Sequence, residues 1–272
     1  MTKIQNALKK YNIKPNKLMG QNFLIDKNVL DKIIEAAEIK KDDTILEIGP
    51  GLGILTIELA KRAKRVIAIE KDKELTRILN NELRIMNIKN VEIIQGDILK
   101  LPDSKFLILD SYKLVANIPY YLTSPLIRKF LEIKNKPSLM VLMIQKEVAQ
   151  RICARPPKMS LLSVAVQFYA KPEIINIVSK NSFYPKPKVD SAIIKIVPKT
   201  FPKVDTDKFF ELVKTGFSSK RKTLINNLSR KLKRDKIELK KIFQEISINP
   251  KTRAENLSIS DWLKLFHILK LS

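Results

Sequence analysis

The sequence predicts an α/β fold: a doubly wound, mostly parallel sheet with one late antiparallel hairpin, followed by a small all-helical C-terminal domain. Three observations predict it. Short, nearly continuous apolar runs alternate with helix-like patterns through the first two-thirds of the chain. Two later apolar runs are joined by a linker too short for a helical crossover. After Pro198 the strand signals stop and basic, helical patterns take over.

The strands are "TILEIG" (44–49), "RVIAIE" (65–70), "VEIIQGD" (91–97), "YKLVAN" (112–117) and "SLMVLMIQ" (138–145). Continuous apolar runs suit a parallel sheet covered on both faces, where neither side meets water. Between them, "GILTIELAKRA" has apolar residues at Ile54, Leu55, Ile57, Leu59 and Ala60. "KELTRILNNELRIMN" repeats Leu75, Ile78, Leu79, Leu83 and Met86. Alternation of this kind builds a doubly wound sheet. "EIINIVS" (173–179) and "SAIIKIV" (191–197) read as two more strands, joined by "KNSFYPKPKVD" and therefore antiparallel. "MSLLSVAVQFYA" (159–170) fits helix or strand, and helix is preferred. The composition shift near residues 199–205 divides the chain into a domain of residues 1–200 and a basic domain of residues 201–272.

Charge narrows the function. In 272 residues, 52 Lys and Arg face 28 Asp and Glu, for a net charge of +24. Such an excess points to a polyanionic partner, nucleic acid or an anionic membrane surface. The single cysteine, Cys153, excludes an intrachain disulfide and fits a reducing cytosol. With His267 the single histidine, triad hydrolases and His/Cys zinc sites are disfavoured, and no metal centre is expected. The N-terminal segment lacks a signal peptide's apolar core, and no run of about 18 apolar residues suggests a membrane span. A soluble, cytoplasmic protein is expected.

Four motifs sit at strand ends. "EIGPGLG" (47–53) follows the first strand and opens a helix, so its glycines permit close backbone approach to a ligand. Glu70 ends the next strand, where a carboxylate can accept from ribose hydroxyls. The G-x-G-x-G spacing differs from the dinucleotide pattern and disfavours a nicotinamide dehydrogenase. Gly96-Asp97 ends the third strand; alone, such an Asp is a turn former or N-cap, but with Gly49 and Glu70 it converges on one crevice. "NIPY" (117–120) closes the fourth. It reads equally as a proline turn over a core tyrosine, or as a grip on an aromatic amine. In the second reading the Asn117 carbonyl and the Ile118 carbonyl accept the two N–H bonds, and Tyr120 stacks on the base. Tyr121 is assigned to the core. "SFYPKPKVDSA" (182–192) places Phe183 and Tyr184 where an aromatic can stack on a base pulled from its helix, or simply cover the sheet edge. Lys186 and Lys188 suit phosphates. Ser218 to Lys241 holds ten Lys/Arg and two acids, an electrostatic footprint for RNA backbone.

These pieces, with "GQNFL" (20–24), "KRKTL" (220–224) and "RAENLS" (253–258), form an ordered set along the chain. With them the chain resembles, nearly end to end, the ribosomal RNA adenine N6-dimethyltransferases of the KsgA type. The resemblance implies a Rossmann-like S-adenosylmethionine-dependent methyltransferase sheet with a small helical C-terminal domain. It implies dimethylation of two adjacent adenines in the 3′-terminal stem-loop of 16S ribosomal RNA, within the 30S subunit, by a monomer. By resemblance, Asn22, Leu24, Gly49 and Gly51 contact S-adenosylmethionine, Glu70 holds its ribose and Asp97 its adenine amine. Asn117 neighbours the cofactor and accepts the target amine, while Tyr120 and Phe183 stack. Lys220-Arg221-Lys222 stands where Arg-Arg-Lys is more frequent, and keeps the charge. Two alternatives remain: a macrolide-resistance methyltransferase acting on large-subunit RNA, and a non-catalytic RNA chaperone.

Overall fold

A computed structural model describes residues 3–16, 19–107, 109–200 and 202–269. The chain divides into two compact units, one of residues 1–149 and Pro172–Pro198, the other of Gln150–Lys171 and Lys199–Ser272. A single boundary after residue 200 therefore misses an excursion, Gln150–Lys171, that the second unit takes from mid-chain. Its cause is aromatic packing inside that unit: Phe168 stacks on Phe209 at 4.7 Å between ring centroids. Residues 201 and 270–272 of the expected C-terminal domain lie outside the described residues.

The first unit is built on a seven-stranded sheet. In chain order its strands are β1 (Thr44–Ile48), β2 (Arg65–Glu70), β3 (Val91–Gln95), β4 (Lys113–Asn117), β5 (Leu139–Gln145), β6 (Ala170–Val178) and β7 (Ser191–Pro198). They lie side by side as β3-β2-β1-β4-β5-β7-β6. β1 pairs parallel with β2 and β4, β2 with β3, and β4 with β5. β7 runs antiparallel to β5 and neighbours β6, the late hairpin of an otherwise parallel sheet. The central strands are buried along nearly their whole length, as their apolar runs require.

Helices cover the sheet because their apolar stripes need burial. In Lys73–Ile85 the stripe is Leu75, Ile78, Leu79 and Leu83, and the Asp72 carboxylate accepts from the backbone N–H groups of Glu74 and Leu75. Met86, expected on that stripe, falls past the helix end and is 46 % exposed. The chain turns there, with Asn87 at φ +53°. Helix Lys27–Ala37 is capped by Asp26 and buries Leu30 and Ile33 in a core shared with Leu59, Val141 and Ile193. The N-terminal helix Lys3–Lys10 sends Ile4 and Leu8 into a second cluster with Phe23, Leu52, Leu75 and Ile78.

The second unit is helical. Residues 159–170, ambiguous in sequence, form helix Leu161–Tyr169, started by a capping box between Ser160 and Ser163. Helices Thr206–Gly216, Leu224–Leu232, Lys236–Glu245 and Ile259–Ile268 follow. Trp262, Phe168, Phe209, Phe243 and Phe266 are fully buried at its centre. "RAENLS" builds a helix start: a short turn, Ala254–Asn256, leads into Ser258, whose side chain accepts from the Asp261 backbone N–H. Lys220, Arg221, Lys222, Arg230, Lys231 and Lys233 are exposed. No helix among the described residues is long and apolar enough to cross a membrane.

Asn227 ties the basic segment to this core. It is fully buried, and its amide donates to the carbonyls of Gly216 at 2.6 Å and Ser219 at 3.1 Å. Asn227→Ala strips two carbonyls of their donor, at a cost of about 2–3 kcal/mol to the helical unit. Urea unfolding followed by fluorescence of the single tryptophan, Trp262, reads this directly; an unchanged midpoint would rule the tie out.

Candidate active site

The strand order creates the crevice. From β1 the chain proceeds outward to β2 and β3, then returns to β4 on the other side of β1. The loops leaving β1 and β4 therefore part in opposite directions, at the position where open α/β sheets bind ligands. One loop carries Gly49-Pro50-Gly51, the other Asn117-Ile118-Pro119-Tyr120.

The glycine loop and Glu70 are built together. Gly51 sits at φ +59°, and its backbone N–H donates to Glu70 Oε2 at 3.1 Å. A Cβ on Gly51 would stand 3.1 Å from the Phe23 ring, so the loop lies tightly against that side chain. Glu70 Oε1 accepts from the Asp72 N–H at 2.8 Å. Burial pushes the Glu70 carboxyl above its ordinary range, against the pull of these backbone donors. With both oxygens held, the carboxylate keeps one orientation and retains lone pairs for hydroxyl donors.

Asp97 lies just past β3. Its Oδ1 accepts from the Leu99 N–H at 3.0 Å, and its Oδ2 pairs with Lys71 at 3.0 Å. Burial pushes its carboxyl up, but the bonds from Lys71 and Leu99 outweigh burial and hold it below the ordinary range. It is therefore ionised at neutral pH.

Asn117 ends β4. Its amide nitrogen donates to the backbone carbonyl of Asn22 at 3.3 Å, which ties down the donor side of the amide. The carbonyl oxygen is then the side available to a ligand. Tyr120 opens a short turn, Tyr120–Leu122, and its hydroxyl meets Ser191 Oγ at 2.7 Å. Burial raises its phenol above the ordinary value, with the Ser191 bond opposing.

A two-residue ladder completes the wall. Phe23 and Leu24 pair antiparallel with Tyr184 and Phe183. Ser182 Oγ donates to Asp26 Oδ2 at 2.9 Å, and the Ile25 N–H donates to the Ser182 carbonyl at 2.9 Å. Gly20 packs against Pro119, so "GQNFL" and "NIPY" touch.

Asn22, Leu24, Gly49, Gly51, Glu70, Asp97, Asn117, Tyr120 and Phe183 all line this one cleft, of about 1120 Å³ with its solvent-open mouth included. Tyr120 is half-buried; Phe183 is only 3 % exposed and forms part of the wall. Tyr121, assigned to the core from sequence, is 53 % exposed at the rim, because the turn at Tyr120 aims adjacent side chains apart. Sequence reasoning missed Glu47, Gln21 and Lys71, which also line the cleft. Gln21 and Lys71 lay beside Asn22 and Glu70, and Glu47 opens the "EIGPGLG" motif itself, so the available signal was proximity to residues already singled out.

Glu47 is the most informative of these. It is fully buried, and its Oε2 has no hydrogen-bond partner among the described residues. Burial pushes its carboxyl up to about 8, with the Thr56 hydroxyl opposing and the Glu70 carboxylate adding.

The chain is similar to known proteins over nearly its whole length. The family model "Ribosomal RNA adenine dimethylase" matches residues 12–271. A "Ribosomal RNA small subunit methyltransferase A" of Dehalococcoides mccartyi strain CBDB1 is 45 % identical over 269 residues, covering 97 % of this chain and 92 % of the relative. The crystal structure of a dimethyladenosine transferase from Plasmodium falciparum matches with a TM-score of 0.78 at 31 % identity, over 91 % of this chain and 97 % of that one. The 23S rRNA methyltransferase ErmE matches with a TM-score of 0.75 at 27 % identity, over 92 % of this chain and all of the other.

The Glu47 state sets a pH dependence. The folded chain holds this proton up to about pH 8, whereas an unfolded carboxyl releases it near 4.5. The folded state thus binds more protons, and wild-type stability falls as pH rises between those values, by at most about 1.4 kcal/mol per pH unit. Glutamine cannot titrate. The stability of Glu47→Gln relative to wild type therefore rises from about pH 5 to about pH 8, in urea unfolding followed by circular dichroism. A margin independent of pH would show that Glu47 titrates normally.

Proposed function

The chain belongs to the ribosomal RNA adenine dimethylase family, and on that footing we propose that its cleft dimethylates the N6 amines of two adjacent adenines near the 3′ end of small-subunit ribosomal RNA. S-adenosylmethionine, when bound, supplies a methyl group on a sulfonium, already activated for transfer. The residues present fit it. Gly49 leaves space in the cleft wall, where a Cβ would meet only the Pro119 ring at 3.9 Å, and Glu47 presents an orphaned buried oxygen to the cleft. Asn22, Leu24, Gly49 and Gly51 would hold the cofactor, Glu70 its ribose hydroxyls and Asp97 its adenine amine.

The chain's own task is positioning. An adenine N6 lone pair is delocalised into the ring, so the amine is a poor nucleophile. Accepting its N–H bonds in a fixed geometry draws the nitrogen toward a tetrahedral form with the lone pair available. Asn117 suits this role, since its donor side is tied to Asn22 and its carbonyl is left to accept. That orientation is the observation that carries the reading. Tyr120 offers a ring face to the base, and Phe183 offers the wall. No general base is required, because the proton can leave after transfer, and the lack of imidazole and thiolate in the cleft is no obstacle.

The exposed basic residues of the helical unit suit RNA backbone. The small-subunit name of the 45 %-identical relative, beside the lower identity to ErmE, favours the small-subunit substrate. The substrate form we propose is the assembling 30S particle in the cytoplasm, met by a monomer.

Asn117→Ala tests the reading. Methyl transfer to under-methylated 30S particles falls by at least about 100-fold, while calorimetry finds S-adenosylmethionine affinity within a few-fold of wild type. Wild-type turnover in the variant would sink the proposed role. Mass-spectrometric mapping of the methylated adenines tests the substrate: two adjacent dimethylated positions near the 3′ end are expected, and methylation of free large-subunit RNA instead would favour the macrolide-resistance reading.

A further inference from the structure

We propose that Ser191 is a positioning residue for methyl transfer, holding the Tyr120 ring in place through the hydrogen bond between their hydroxyls. This rests on the reading that Tyr120 stacks on the target base.

The bond is 2.7 Å long and joins residues 71 positions apart. Its two ends differ in rigidity. Ser191 is fully buried and opens β7, where it pairs with Gln145 of β5. The preceding residue is fixed as well: the Asp190 carbonyl accepts from the Lys146 N–H at 3.0 Å, and its carboxylate accepts from the Lys180 N–H at 3.1 Å. Ser191 is therefore a rigid post. Tyr120 stands in a three-residue turn, half-buried, at the edge of the cleft. The turn sets the position of its Cα but leaves the side-chain torsions to its neighbours. The hydroxyl lies on the ring's own long axis, so a bond there fixes the first side-chain torsion and with it the direction of that axis.

The residue type supports a dedicated role. Along β7, Ser191 is followed by Ala192, Ile193 and Ile194, all fully buried. A hydroxyl in such a place is unfavourable unless bonded, and alanine would fill it without that cost. The serine is accounted for by what it holds. A stacking ring whose axis can swing still admits the base but misaligns its amine, and misalignment of that kind lowers the rate of the chemical step more than it weakens substrate binding.

The test uses the full-length protein, S-adenosylmethionine and under-methylated 30S particles. Ser191→Ala and Tyr120→Phe remove the same bond from opposite ends. Each is expected to lower kcat about tenfold, with KM for the particles, cofactor affinity and melting temperature close to wild type. The double variant is expected to lose no more than either single one, because the bond is already gone. Wild-type kcat in Ser191→Ala, multiplied losses in the double variant, or losses that track a drop in melting temperature would overturn the inference. Tyr120→Ala separates the two levels. If it turns over normally, the stacking reading itself fails. If it is inactive while Ser191→Ala and Tyr120→Phe are normal, only the tether fails.

Discussion

The cleft depends on a backbone contact between distant parts of the chain, the ladder of Phe23 and Leu24 against Tyr184 and Phe183. Two residues on each side make few hydrogen bonds, and each is worth only about 1 kcal/mol net. Packing does more. Phe23, Leu24 and Phe183 are all buried, and burying a side chain of that size contributes about 1.5–3 kcal/mol. Everything on that wall follows from the pairing. It sets the Asn22 carbonyl against the Asn117 amide, lays the Phe23 ring on Gly51 and brings Phe183 to the cleft.

The electrostatics separate into two scales. The molecule carries a net charge of +24, a field that draws in a polyanion from a distance. The cleft instead gathers carboxyls, and their surroundings give each a different state. Glu47, buried with an unpartnered oxygen, keeps its proton at neutral pH. Glu70 is gripped by two backbone N–H groups. Asp97 stays ionised beside Lys71. Groups of this kind suit hydroxyls and amines rather than phosphates. The surface is thus matched to a nucleic acid backbone and the cleft to the uncharged or cationic parts of smaller groups.

Much of this was legible from the sequence because the signals were local. Apolar runs marked five parallel strands, and the short "KNSFYPKPKVD" linker forced the late hairpin. Once strand ends were known, Gly49, Glu70, Asp97 and Asn117 had to share one rim, whatever their roles. Other features had no local signal. Tyr120 and Tyr121 are adjacent and identical in type, and only the folded turn decides which is half-buried with its hydroxyl on Ser191 and which stands exposed at the rim. The excursion Gln150–Lys171 looks like its surroundings, since its allegiance is set by where Phe168 finds an aromatic partner. Met86 continues a helical period that the chain has already left.

The sequence by itself determined the order of elements, the residues at each strand end, the basic surface and the absence of imidazole and thiolate from the site. These follow from composition and short-range periodicity, which are properties of neighbouring residues. Only the tertiary structure decided the wall formed by residues 22–24 and 183–184, the orientation of the Asn117 amide, the Tyr120–Ser191 bond and the proton on Glu47. Each of these depends on distances between residues far apart in the chain, or on how completely water is excluded, and neither exists before the chain has folded.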